Sequence, residues 1–492
     1  MTGAPLWFPV DLVAPLVSVR RGCWVLPFLL GLLLAGCGSA GVPGHRALSG
    51  SSSPARPWLP PREPLPGAPD SGLALPAPAS LAEVLAIGLA RHPETRAAWL
   101  AAQVAAASLA ETEGRRWPTL DALATLGTSR SLGSGGAPVT RTSVAAGLEL
   151  SWLLLDCGGR AGEEEVARQA LLAASWTHAS LLGDRILLLA QRYHAQQAAA
   201  ALLEGERALR DLARATVEAA QQRRRSGITS LAEELQAVAS LQRVELQLAT
   251  LEAELLTSRA QLAGAAGLPV TAAFELPPLP PLDDAGPLTA QVETVLAEAV
   301  AQRPELAAAE AAWRAAEARL AVTAAAGRPS LALGGSLLPT HLLEPEGDLL
   351  AGGLTLTFRW PLLRGGSQQA REEGARLAVE VARARWEAVR SQVALEAFAS
   401  LQGLRLAAAR LTGSRELLAT SEQAVEMALG RFRAGAGSLL ELLAAQSALE
   451  EARRTQIEAR GAWLTALARL ARDRGSSLAA APLAATPEEV AP

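Results

Sequence analysis

The sequence predicts a mainly α-helical chain with a small β component, built as a duplicated unit whose longest helices pair as antiparallel coiled coils. Three observations carry this. No proline occurs from Val139 to Leu268 or from Leu362 to Ala481, and proline inside a helix removes a hydrogen bond and clashes with the preceding turn. Short motifs from the first half return in the same order in the second. Two brief segments alternate apolar and polar residues with the period of a strand.

The composition limits the function classes. Of the 492 residues half are hydrophobic and only 4% aromatic, with a formal net charge of -4. Ala, Leu, Glu and Arg dominate, a mixture that suits long helices packed through small side chains. Every cationic side chain is Arg, yet the balance leaves no basic field, so nucleic acid is set aside as a partner.

Taken in order, the chain begins with Arg20 and Arg21 ahead of an apolar run from Gly22 to Gly36. That run is too short for a spanning helix and reads as a signal peptide over 1–36. It ends in Leu34-Ala35-Gly36-Cys37, which resembles the lipobox of bacterial lipoproteins. The resemblance implies cleavage before Cys37 and a diacylglycerol on its thiol. Cys23 is then removed, and the lone Cys157 has no partner for an intrachain disulfide. Residues 37–78, rich in Pro, Ser and Gly, read as a tether.

The first repeat is placed at 79–268 and the second at 292–475, joined by a linker at 269–291 and followed by a flexible tail at 476–492. Arg91-His92-Pro93-Glu94 returns as Gln302-Arg303-Pro304-Glu305, and Trp117-Pro118-Thr119-Leu120 as Arg328-Pro329-Ser330-Leu331. Both offsets are 211, since 304 − 93 and 329 − 118 agree. Arg225-Ser226-Gly227 with Ser230-Leu231 returns as Arg433-Ala434-Gly435 with Ser438-Leu439, at an offset of 208.

Each repeat reads as a helix, two strands, a very long helix, a tight turn and a returning helix. Long helices are predicted from 159 to 225 and from 366 to 433, and shorter ones near 80–116, 230–266, 292–327 and 439–474. In the first repeat Val144, Ala146, Leu148, Leu150 and Trp152 share one strand face, against Glu149 and Ser151. In the second Leu354, Leu356, Phe358 and Trp360 oppose Thr355, Thr357 and Arg359. Leu120, Ala122, Ala124 and Leu126, with Leu331, Leu333 and Leu337, mark the partner strands, across loops placed near 128–142 and 338–352. Leu231, Leu235, Val238, Leu241, Val244, Leu248, Leu251 and Leu255 recur at steps of three and four, a coiled-coil seam.

With these motifs in hand, the chain from about 79 to 474 resembles the outer-membrane efflux protein family, the TolC-like channels. The residues that carry the likeness are Pro118 and Pro329, the passages Trp152 to Arg160 and Trp360 to Gly366, and the segment Arg431 to Gln446. The resemblance implies a homotrimer in which four strands per chain complete a twelve-stranded β-barrel and the helices form a periplasmic tunnel. It implies an outer-membrane channel subunit of a tripartite efflux or type I secretion system, lipid-anchored and passive. Its partners would be a periplasmic adaptor, an inner-membrane pump and the outer-membrane lipid. A periplasmic coiled-coil scaffold lipoprotein whose hairpins never insert is the alternative reading.

The same resemblance makes Gly227, Ser230, Leu231, Gly435, Ser438 and Leu439 adaptor-docking tips, although plain helix caps also explain Gly and Ser at these places. It makes Glu233, Glu441 and Phe432 tunnel-entrance candidates. Phe432 stands where well-known members carry Tyr, and it cannot donate a hydroxyl hydrogen bond. Strand alternation makes Glu149, Thr355, Thr357 and Arg359 candidates for a barrel lumen. His45, His92, His178, His194 and His341 show no metal-ligand spacing, and no catalytic motif occurs. No catalytic residue, metal or cofactor is therefore expected, and the exported cargo is not legible.

Overall fold

The computed structural model describes residues 78–132, 138–227, 229–281, 291–344 and 346–475. The signal peptide, Cys37, all of the tether except Pro78, residues 282–290 of the linker and the whole of the tail lie outside the described residues. The elements are α1 (Leu81–Arg91), α2 (Pro93–Gly114), β1 (Thr119–Leu132), β2 (Pro138–Leu155), α3 (Gly159–Arg225) and α4 (Leu231–Ala265). There follow α5 (Val292–Gln302), α6 (Pro304–Ala325), β3 (Ser330–Glu344), β4 (Glu346–Arg359), α7 (Ser367–Arg433) and α8 (Leu439–Asp473). Helices match between the halves residue for residue in length: 11 and 11, 22 and 22, 67 and 67, 35 and 35.

Two sequence expectations are corrected. The helices placed at 80–116 and 292–327 are each broken once, at His92 and Arg303, which adopt extended ψ values of 129° and 125°. Both precede a proline, whose ring disfavours the helical conformation of the residue before it. The loops placed at 128–142 and 338–352 are mostly strand, because β1 pairs with β2 from Thr119↔Ser151 to Leu132↔Pro138 and β3 with β4 from Ser330↔Arg359 to Leu343↔Glu346. Cross-strand hydrogen bonds continue through Thr, Ser and Gly residues that alternation alone does not identify as strand.

The chain divides into two compact units. One contains the strands, from residues 112–161 and 322–368, and the other holds the helices. The strand unit is a four-stranded antiparallel sheet in the order β1-β2-β3-β4. Both strand-to-helix passages bend through two consecutive left-handed residues, Cys157 and Gly158 at φ 50° and 95°, and Gly365 and Gly366 at φ 56° and 78°. Cys157 bears a side chain where its repeat mate is glycine, and its thiol donates to the Pro329 carbonyl at 3.3 Å.

In the helical unit the rise of α3 and α7 amounts to about 100 Å each. Their cores are strips of small and aliphatic residues. One strip joins Val295 and Ala299 of α5 to Val393, Ala397, Leu401 and Leu404 of α7 and to Trp463 and Leu470 of α8. Its repeat counterpart joins Ala79 and Val84 to Leu189 and Tyr193 of α3 and Leu262 of α4. The Tyr193 hydroxyl donates to the Ala79 carbonyl at 3.1 Å and ties down the segment before α1. Arg472 of α8 binds Asp184 of α3, Glu305 of α6 and Glu396 of α7, so one cation links four helices.

Candidate functional site

Three features bear on function: the two faces of the sheet, the two helix turns, and the apolar surface left open on the helices. Register decides the first. Asp121, Glu149, Ser336 and Gly353 lie in one cross-strand row, and Thr119, Ser151, Gly334 and Thr355 in the next. Thr357 pairs with Ala332 and Arg359 with Ser330. Side chains alternate along a strand, so Glu149, Thr355, Thr357 and Arg359 share one face. Asp121 joins them, a residue that sequence reasoning passed over because Leu120 and Ala122 beside it attract attention first.

The opposite face is apolar and bare. Leu120, Leu126, Leu148, Leu337, Leu354 and Leu356 are all exposed in the single chain. Near the strand-to-helix end, Trp117, Phe358 and Trp360 are exposed as well, and Trp152 donates its indole N–H to the Arg116 carbonyl at 3.1 Å. Trp117, adjacent to the helix-ending Pro118, is an aromatic that strand alternation does not flag. The separation of faces is incomplete along the strands. Leu123, Leu338 and Leu349 fall on the polar face, while His341 and Asp348, 2.6 Å apart, fall on the apolar one. Strands β1 and β4 each pair on one side only among the described residues.

The helix turns are built from caps. Gly435 at φ 78° donates its N–H to the Phe432 carbonyl at 3.1 Å, and Ala436 donates to that of Arg431 at 2.9 Å, a Schellman motif. Gly227 at φ 69° donates to the Arg224 carbonyl at 2.9 Å. Ser230 and Ser438 then start the returning helices, their hydroxyls accepting from the N–H groups of Glu233 and Glu441 at 3.3 and 3.2 Å. A Cβ added at either glycine would meet no atom within 4 Å.

Repeat mates at the turns have different surroundings. Leu439 is 2% exposed and packs with Val217, Ala220, Ala237, Phe432 and Leu442, whereas Leu231 is 55% exposed. Phe432 is 1% exposed. Arg223 lies over its ring at 4.5 Å and donates to its carbonyl at 2.7 Å. The structure therefore places Phe432 inside the contact between the two helical hairpins. Glu441 is exposed, with Arg431 4.0 Å away. Glu233 is half-buried beside Glu234, whose carboxylate pairs with Arg224. Leu235, Leu246, Leu256, Leu406, Met427 and Leu440 also remain exposed along the helices.

Among the described residues no three His, Cys, Asp or Glu side chains are grouped to hold a metal, and no helix is long and apolar enough to cross a membrane. A sequence profile of the outer membrane efflux protein family matches residues 85–268 and again 295–476. The chain belongs to that family. The match takes in both halves, strands and turns included. Protein CyaE of Bordetella pertussis is 26% identical over 393 residues, 77% of this chain and 80% of that protein.

Solved structures show the same fold. The outer-membrane channel OprN superposes with a TM-score of 0.73 at 22% identity, covering 81% of this chain and 90% of its own. The outer membrane protein VceC of Vibrio cholerae gives 0.71 at 19% identity, with 81% and 96% covered. This efflux protein is thus a channel-tunnel type of chain, of the Gram-negative outer membrane and extending into the periplasm.

Proposed function

We propose that this outer membrane efflux protein is the passive conduit of a tripartite efflux or type I secretion system, assembled as a homotrimer. The sheet supports this reading most directly. It offers one largely apolar and one more polar face and, among the described residues, two unpaired edges. In lipid an open edge leaves backbone groups unsatisfied, at several kcal/mol each, so the strands must close with further copies. Three copies of a four-stranded sheet make twelve strands, enough for a passage.

In this arrangement Glu149, Thr355, Thr357 and Arg359 line water together with Asp121, and the exposed leucines meet lipid. The exposed leucines of α4 and α7 are covered by neighbouring subunits. Leu231 is then to the next chain what Leu439 is within this one. Gly227, Ser230, Leu231, Gly435, Ser438 and Leu439 form the tips that receive a periplasmic adaptor, with an inner-membrane pump supplying energy. Glu233 and Glu441 stand near the tunnel entrance, and Cys37 carries the lipid anchor; unchanged palmitate labelling of Cys37→Ser would remove that last assignment.

Conductance of the purified protein in planar bilayers tests the conduit. Cysteines introduced as Thr355→Cys and Leu356→Cys test the faces: the first should react with a water-soluble thiol reagent in intact membranes and the second should not. Equal reactivity would refute the assignment of faces, and a protein that never conducts would refute the conduit.

A further inference from the structure

About 30 Å before the first turn by helix rise, α3 buries a carboxyl for which the roles described above have no use. Glu206 is 4% exposed, and its Oε1 has no hydrogen-bond partner. It lines a cavity of about 310 Å³ between the hairpins, with Arg243 and Val244 from α4 and Leu443 and Glu450 from α8. A smaller void beside it is lined by Arg453 and Arg454 of α8.

The charged groups facing Glu206 are therefore Arg243 from α4 and Glu450, Arg453 and Arg454 from α8. Arg453 lies 3.7 Å from Glu422 of α7. On α3 itself Arg207 and Arg210 are engaged with Glu204 and Asp211. An ionised carboxylate that is buried and has an oxygen without a protein partner is disfavoured, whereas the protonated acid is tolerated. Burial accordingly pushes the Glu206 carboxyl up to about 7; the charge of Glu450 adds to the rise and that of Arg454 opposes it.

We propose that Glu206 is a proton-binding site that links the packing of the two helical hairpins within a chain to the pH around them. While α3 and α4 stay packed on α8, the Glu206 O–H bond is kept. When the hairpins part, the carboxyl is exposed to bulk water, the O–H bond breaks and the proton passes to solvent. Hydration returns the carboxyl toward its ordinary value of 4.5. By linkage, the preference for the packed state is fully present below that value and is lost as pH rises through about 7. The inference deepens the conduit reading only in what hairpin separation means for passage.

Hydrogen exchange on the full-length protein tests it, each amide rate divided by its own pH-dependent intrinsic rate so that the opening equilibrium is read directly. Over residues 236–247 of α4 and 443–450 of α8, opening should increase roughly thirtyfold from about pH 5.5 to about pH 8.5. Glu206→Gln, a neutral isostere, should be flat with pH and resemble the wild type in acid. Glu450→Gln should keep the response but move its midpoint to lower pH, because one like charge is gone. A wild type that is flat, or a Glu206→Gln protein that responds like the wild type, would overturn the proposal. Exchange does not depend on conduction, so a protein that responds to pH but fails to conduct would refute the conduit and leave the proton site standing.

Discussion

Arg472→Met removes the cation that joins α3, α6, α7 and α8. Arg472 is 17% exposed and binds Asp184 at 2.6 Å, Glu305 at 2.8 Å, Glu396 at 3.2 Å and Asp473 at 2.9 Å. Arg303, 2% exposed, is the second cation, bound to Glu305 at 3.0 Å and Glu396 at 2.6 Å. Arg469, 3.9 Å from Asp473, is a third, so three cations face four carboxylates in the native network and two would face four in the variant. Breaking a fully buried pair costs about 3–5 kcal/mol, and losing an exposed one about 0–1 kcal/mol. With Asp184 half exposed at 50% and Met restoring most of the volume, the loss should be about 2–3 kcal/mol near neutral pH.

The loss should also depend on pH. Burial opposes ionisation of Glu305 and Glu396, but their hydrogen bonds and the charges of Arg303 and Arg472 outweigh it and hold both carboxyls below the usual range. Their stabilising contribution is therefore present above the ordinary value of 4.5 and lost as pH falls through the lowered folded values. Without Arg472 the same carboxyls must rise, so the variant's deficit should shrink as the solution is acidified below pH 4.5. Arg472→Lys keeps the charge but cannot reach four carboxylates with one fork, and should fall between the two. Urea unfolding followed by helical circular dichroism, at neutral pH and below pH 4.5, measures all three proteins. A deficit below about 1 kcal/mol, or one of equal size at both pH values, would refute the reasoning.

Other substitutions follow from the same geometry. Cys157→Gly should raise stability by roughly 0.5–1 kcal/mol, because glycine relieves a left-handed residue at φ 50°; a lower melting temperature would contradict this. Gly227→Asp and Gly435→Asp place side chains in open space at φ 69° and 78°. Together they should cost about 1–2 kcal/mol per site locally, preserve trimer assembly and abolish adaptor crosslinking; intact crosslinking would reduce the turns to caps. Burial keeps the His194 imidazole below its ordinary value of 6.5, against the opposing hydrogen bond with Gln197. His194 therefore supports the fold above that value and ceases to as pH falls through its lowered folded value, so His194→Gln should flatten the acid limb of the melting curve.

Much of the fold was legible because its determinants are local. Long proline-free stretches permitted α3 and α7, glycine and serine marked their turns, and alternation from Leu148 to Trp152 and from Leu354 to Trp360 distinguished the sheet faces. Even the breaks at His92 and Arg303 lay in view, since each precedes a proline; the helical pattern on both sides concealed them. The ends of the strands were not legible. Thr128 and Thr142 face each other across β1 and β2 with their hydroxyls 3.2 Å apart, and nothing in either neighbourhood alone predicts that pairing.

The sequence by itself determined the helices, their turns, the duplication and the alternation of the strands, because backbone preference and side-chain periodicity depend on residues a few positions apart. Tertiary structure alone decided which of two equivalent residues is used and how. Leu231 and Leu439 follow the same serine cap, yet one is exposed and the other sealed under Phe432 and Arg223. Glu206 reads as one more charge on a long helix, and becomes a buried acid only because α8 packs Leu443, Gln446 and Glu450 against it. Burial, desolvation and like-charge repulsion belong to contacts between segments hundreds of residues apart, and no window of the chain contains both partners.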